Sequence, residues 1–277
     1  MASIRGLSPD SLAQLVELTE ARAYADLFRD APPSWGVRLV ESEVATVLIA
    51  PMLDIPLFNR AIGLGLGTSV GDDELDSTIR LFDDAGVRNF AIQISPAAKL
   101  RASQSLSARN LFVRDNWAKV ARSSEAVEQV QTDLTIDRIG SDDAEAFAQV
   151  AVTAFRMPQH AGSWLRAGVG QPGWHHYLAW DQGVPVATAA LYVRDGAGWL
   201  GIGSTLPSHR RRGAQGALMV RRIEDGRDLG CWCFVTETGE DLPSRPNPSF
   251  HNMMRTGFTL VYQRPNFMRP ASASVQS

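Results

Sequence analysis

The chain has 277 residues, 44% hydrophobic and 21% charged, values that exclude a disordered or fibrous protein and make two domains the expectation. A net charge of −3 gives no whole-chain case for nucleic acid or anionic membrane, and two cysteines build neither a disulfide framework nor a four-ligand zinc site. The longest apolar stretch, 44–53, falls short of the ~20 residues that span a bilayer, and the Met-Ala-Ser-Ile-Arg start runs into polar sequence rather than a leader, so a cytoplasmic protein is expected.

Ser8 as N-cap and Pro9 at the first helical position predict a helix over 9–29, with Leu12, Leu15, Val16 and Leu18 as its apolar stripe and Pro32-Pro33 as its stop. Strands are expected at 45–50 and 60–66. A helix over 72–85 closes at Gly86, and a strand at 87–94 ends at Ser95-Pro96. A helical stretch then reaches Arg109, and segment 111–122 carries Phe112 and Trp117. The polar run 123–133 marks a boundary between a first domain, 1–125, and a second, 132–270, with 271–277 as a frayed tail. The second half opens with a strand at 134–139 and a helix over 142–155 capped by Ser141, then a short helix at 162–169. Strands follow at 175–180, 185–193 and 198–205, joined by the hairpin turns Asp181-Gln182-Gly183 and Asp195-Gly196. A helix at 213–229, a strand at 231–238, a Pro-rich loop, a helix at 249–256 and a last strand from Phe258 complete the chain. The fold class is α+β, two domains each with a mixed, mostly antiparallel sheet flanked by helices.

The halves share a cassette. Gly63-Leu64-Gly65, helix, Ala85-Gly86, strand, Ser95-Pro96 and Arg109 to Phe112 are matched by Gly201-Ile202-Gly203, helix, Leu229-Gly230, strand, Asn247-Pro248 and Arg255 to Phe258, which points to duplication. Gly63 to Gly86 spans 23 residues and Gly201 to Gly230 spans 29, the extra ones lying in 207–216. That insert reads Pro207-Ser208-His209-Arg210-Arg211-Arg212-Gly213-Ala214-Gln215-Gly216. A strand enters a glycine-bearing loop and a helix leaves it, the arrangement in which free N–H groups and the helix dipole hold an anion. Residues 207–230 carry six arginines against three acids, whereas the matching helix of the first half, 72–84, carries six acids and one arginine. Only the second half is suited to a pyrophosphate.

Pro207 after a strand, Arg-x-x-Gly at 210–213, Ala217-Leu218, and Asn247 ten residues before Gly257-Phe258 together resemble the GNAT acetyltransferase superfamily. The resemblance covers 132–270 well and the first half as a degenerate copy without the CoA loop, a tandem GNAT arrangement. It implies that acetyl-CoA is held by Gly203, Ser204, Thr205, Arg210, Arg211, Arg212, Gly213, Ala214, Gln215, Gly216 and Asn247, and that the acetyl group passes to an amine by direct attack in a ternary complex. The alternative is an inactive acyl-CoA-binding sensor or interaction module. Gln215 departs from the family's second small residue. Met253 stands where the family often has a tyrosine as general acid, so that acid is absent. Glu237, at the end of strand 231–238, is the possible base, or else a carboxylate pinning the Pro-rich loop; Tyr262 and His251 are fallbacks. Met157, His160 and Trp164 border the acceptor region of the family. Cys231 and Cys233 read as core residues. Trp174-His175-His176-Tyr177 reads as an edge strand whose imidazoles point to opposite faces, and no metal site is expected. A small-molecule amine is the expected partner, without nucleic acid or membrane. Twenty-five arginines against two lysines, Lys99 and Lys119, suggest a GC-rich bacterial genome.

Overall fold

The computed structural model describes residues 3–66, 70–94 and 99–270. The Ser95-Pro96 turn and the tail from Ala271 lie outside them. Helix α1 (Pro9–Arg29) has the expected bounds, with Ser8 accepting from the Ser11 amide. Strands β1 (Arg38–Glu41), β2 (Thr46–Ile49) and β3 (Arg60–Leu64), helix α2 (Asp72–Asp84), strand β4 (Ala91–Ile94), helix α3 (Lys99–Ala108) and strand β5 (Phe112–Ser123) follow. Then come β6 (Thr135–Ile139), α4 (Ala144–Phe155), α5 (Ala161–Ala167), β7 (Trp174–Asp181), β8 (Val184–Arg194), β9 (Ala197–Thr205), α6 (Ala214–Asp228), β10 (Cys233–Gly239), α7 (Pro248–Arg255) and β11 (Thr259–Met268). Among the described residues no helix is long and apolar enough to cross a membrane.

The chain forms two compact units, and they are not two consecutive stretches. The larger takes Met1–Pro32 and Ala118–Tyr262, the smaller Pro33–Trp117 and Gln263–Ser277. The sequence break was expected at 125–132. Instead α1 packs on β9 and β10 of the larger unit, and β5 and β11 each divide between the units. In the larger unit the strand order is β11-β5-β10-β9-β8-β7-β6. There β6, β7, β8 and β9 run antiparallel, and β10 is parallel to β9. In the smaller unit the order is β1-β2-β3-β4-β11, with β3 and β4 parallel. Each unit therefore contains one parallel β-α-β crossover, β9-α6-β10 and β3-α2-β4.

Several local expectations are corrected. Strand β1 was not foreseen; it pairs with β2 from Arg38↔Ile49 to Glu41↔Thr46. Residues 87–90 are not strand, because the Val87 amide closes α2 onto Phe82 O and the Arg88 and Asn89 amides donate to Asp54 Oδ1. Ser141 does not cap; it lies inside a 3₁₀ turn, Ser141–Asp143, that precedes α4. Strand β10 starts at Cys233, since the Cys231 amide is spent on Gly226 O at the end of α6. Strand β7 is interior, between β6 and β8, not an edge. The two hairpin turns form as read. Gln182-Gly183 and Asp195-Gly196 all have positive φ, the tight turn that matches strand twist.

Candidate active site

Strand β9 carries an irregularity at its centre. Thr188 faces Ser204 and Ala190 faces Gly201, so Ile202 and Gly203 stand opposite the single residue Ala189. This is a β-bulge, and Ile202 is left-handed at φ 50. Two groups hold it. The Trp199 ring lies where a Cβ on Gly201 would be, 1.9 Å away. Beneath it the buried Arg222 donates to Ala190 O and Gly201 O, at 3.0 and 3.2 Å. Burial pushes the Arg222 guanidinium down to about 10. Arg222 counts in the sequence as part of a cationic patch, but it is a core brace.

Parallel pairing of β9 with β10 ends at Trp199↔Val235, although six residues of β9 and four of β10 remain. Beyond it the Thr236 hydroxyl donates to Leu200 O at 2.6 Å. The strands part beside the bulge. Helix α6 begins next to this opening. Gly213 is its N-cap, with no side-chain cap and no acid in the first turn. Ala217 N is bonded to Gly213 O, which leaves the earlier first-turn amides directed outward.

The arginines of the loop divide by role. Arg212 is clamped by Asp133 and Asp181, and Thr132 Oγ1 donates to its carbonyl. The two carboxylates hold the Arg212 guanidinium above its usual range. His209 leans on Asp181 at 3.2 Å. Arg210 and Arg211 are exposed, and neither has a carboxylate partner among the described residues. Arg211 is left-handed at φ 64, which turns the chain into Gly213. Gly213 has φ 82, and a Cβ there would stand 2.3 Å from Gln131 O. So its glycine is demanded by the protein's own linker, not only by approach of a phosphate. A Cβ on Gly216 would likewise stand 2.9 Å from the Val130 side chain. Gln215 explains its departure from the small-residue pattern, since its amide donates to Ser249 Oγ and accepts from Asn252 Nδ2, tying α6 to α7. Ala214 is buried.

Asn247 does not have an amide to offer a cofactor. Its oxygen caps α7 by accepting from the Ser249 and Phe250 amides, and its nitrogen donates to Thr238 Oγ1 and Gly239 O. That uses its full capacity. Ser204 Oγ pairs with Thr188 Oγ1 at 2.7 Å, and Thr205 O receives Arg210 Nε at 3.5 Å.

Glu237 lies on β10 two residues past the last ladder pair. Phe234 packs on Gly226 of α6, so alternation puts Val235 and Glu237 on the opposite face, the face of Trp199 and α1. Glu237 does not pin the Pro-rich loop. Its Oε2 accepts from Lys119 Nζ and from Trp199 Nε1, each at 3.1 Å. Lys119, fully buried, also pairs with the buried Glu20 of α1. Neither Lys119 nor Glu20 was singled out in the sequence. The signal available was the rarity of lysine: two in a chain of 277 residues. Tyr262 donates to the buried Glu17 of α1. His251 sits on α7, half exposed, 3.2 Å from Asp241. The fallbacks are thus engaged elsewhere. Met253 is buried, so no phenol stands at that position.

Of the acceptor-side residues, Trp164 is a core residue. Its indole donates to Leu27 O at 2.9 Å and its ring meets Phe28 edge-on. Met157 is half-buried and His160 exposed. His176 is buried between Trp174 and Phe147, and desolvation, then His175, pushes it down to about 3. Burial pushes the Cys231 and Cys233 thiols up to about 11 and about 12, as befits core residues.

No protein-family profile matches the chain, and no curated protein matches its sequence. Its fold is similar to solved structures. A GCN5-related N-acetyltransferase from Kribbella flavida is 19% identical with a TM-score of 0.66, covering 95% of this chain and 96% of that one. A second, from Sphaerobacter thermophilus, is 14% identical at 0.58, covering 92% and 94%. A tandem GNAT protein from the clavulanic acid biosynthesis pathway is 15% identical at 0.57, covering 94% and 86%.

Proposed function

From a chain with the fold of the tandem GCN5-related N-acetyltransferases, we propose an acetyl-CoA-dependent N-acetyltransferase acting on a small-molecule amine. The observation that carries this reading is the parting of β9 and β10 beside an uncapped, acid-free helix start. A pyrophosphate fits there: the α6 first-turn amides, Arg210 and Arg211 would hold it. Acetyl-CoA supplies an acetyl group activated as a thioester. The backbone at the Ile202–Gly203 bulge is out of register with β8, and an N–H there would be suited to polarising a carbonyl oxygen. Glu237 Oε1, the oxygen that accepts no hydrogen bond among the described residues, would take a proton from the acceptor ammonium. Among the described residues no activated nucleophile accompanies these groups, which favours direct attack over an acyl-enzyme.

Buried Met253 supports the second reading, an acyl-CoA-binding module without turnover. Thiol release from acetyl-CoA over a panel of alkylamines, amino acids, aminoglycosides and arylamines tests both. Amine-dependent release is expected. Binding of acetyl-CoA without release from any amine selects the second reading.

A further inference from the structure

The chain uses arginine almost wherever it needs a cation: 25 arginines to two lysines. Yet the cation buried completely against Glu237 is a lysine. Lys119, on β5, has no exposed side-chain surface, and Glu20, on α1, has none either. Taking an ammonium out of water costs several kcal/mol unless carboxylates surround it. Here two do, from separate directions: Glu20 from α1 and Glu237 from β10, the latter at 3.1 Å. A compact ammonium with three donors can bridge two carboxylates that approach it from different directions.

The consequence falls on Glu237. Both of its donors, Lys119 Nζ and Trp199 Nε1, converge on Oε2. The carboxylate cannot turn without breaking two hydrogen bonds, and among the described residues Oε1 has no donor. Its side chain keeps 9% exposure, next to the opening between β9 and β10.

We propose that Lys119 and Glu20, supplied by chain segments of the first half, are positioning residues that hold the Glu237 carboxylate aimed, with Oε1 toward the acceptor. The proposal rests on the acetyltransferase reading. Glu20 fixes Lys119, Lys119 and Trp199 fix Oε2, and Oε1 meets the substrate ammonium. Removal of α1 or β5 residues would thus disable a reaction whose cofactor loop lies wholly in the second half of the sequence.

The test uses full-length protein, acetyl-CoA, and the amine giving the fastest thiol release. Lys119→Met is expected to lower turnover per folded molecule at least tenfold and leave acetyl-CoA affinity unchanged. The loss should fall on kcat and not on the KM for the amine, because the substrate still binds but meets a carboxylate no longer held in line for proton transfer. Lys119→Met could instead act by destabilising the fold, so Glu20→Gln/Lys119→Met is made alongside. Deleting both partners relieves the uncompensated charge. Its melting temperature should recover while turnover stays low. Turnover that recovers together with the melting temperature, or a wild-type rate in Lys119→Met, overturns the proposal alone. A panel in which no amine releases thiol overturns the acetyltransferase reading and the proposal with it.

Discussion

The two β-α-β crossovers use the same grammar and differ in how far their strands stay paired and in how the helix between them starts. In the smaller unit, β3 and β4 stay paired past an irregularity at Gly63, to Leu64↔Ile94 at the ends of both strands. In the larger unit, β9 and β10 part after Trp199↔Val235. The helix that follows α2's entrance is closed by acids: Glu74 caps the Gly71 amide at 2.9 Å, and Asp72 and Asp73 fill the first turn. Asp72 and Asp76 in turn bind Arg109. Helix α6 has neither cap nor acid. A helix start is satisfied from within or kept open for an anion, and a parallel pair is zipped or spread. The smaller unit chose stability on both counts, and the larger left both open.

The largest expected effect is at the glycines of the two entrances. Gly213→Asp places a Cβ 2.3 Å from a backbone oxygen at φ 82. Strain and overlap together should cost at least about 3 kcal/mol, a large share of a typical domain's stability. Gly71→Ala meets only the movable Glu74 carboxylate, so its cost should not exceed about 1 kcal/mol. Thermal melts of the two variants check this. Equal melting temperatures would show that the linker at Gln131 yields and that the entrance is softer than its geometry.

Acid separates the units next. All five histidines lie in the larger unit's segments. His176 is held at about 3 in the fold against 6.5 unfolded. The unfolded chain therefore binds the extra proton between those values, and stability falls as pH drops below 6.5. At pH 5 the loss is about 2 kcal/mol. In the smaller unit Arg109 holds the Asp76 carboxyl below 3.8, so that contribution is lost only at lower pH. Hydrogen exchange from pH 7 to pH 4.5, corrected for intrinsic rates, should show β7 and β8 loosening before β2 and β3. Simultaneous loosening would contradict the assignment of the acid response to His176.

A smaller effect distinguishes the loop arginines. Arg210→Glu/Arg211→Glu should weaken acetyl-CoA binding at least tenfold, about 1.4 kcal/mol, without moving the melting temperature. Arg212→Ala should do the reverse, because its charge is spent on Asp133 and Asp181. Calorimetric titration and melting on the same preparations decide. Unchanged affinity in the double variant would make the Arg–Gly turn only a turn. The smallest effect is a designed failure: Asp73→Arg adds a cation to α2, yet acetyl-CoA should still bind once per chain, since β3 and β4 remain zipped. A second equivalent site would mean that charge alone separates the crossovers.

Much of the fold was legible in the sequence. The bounds of α1 follow from Ser8 and Pro9, the hairpins from Gln182-Gly183 and Asp195-Gly196, and the anion-ready helix start from the glycines and missing acids at 213–216. These are local: each depends on backbone sterics or caps within a few residues. What the sequence could not decide is which surface each residue meets. Six arginines read as one cationic patch, but Arg222 lies in the core and Arg212 in an ion-pair clamp. Asn247 and Trp164 read as site residues and are braces. Glu237 stands out in the sequence as a strand-end carboxylate, but its partners come from residues 118 and 217 positions earlier in the chain, on segments that pack with the larger unit rather than their own half. Local rules fix elements because their energies act over one turn. The orientation of a buried carboxylate is fixed by contacts that only tertiary packing brings together.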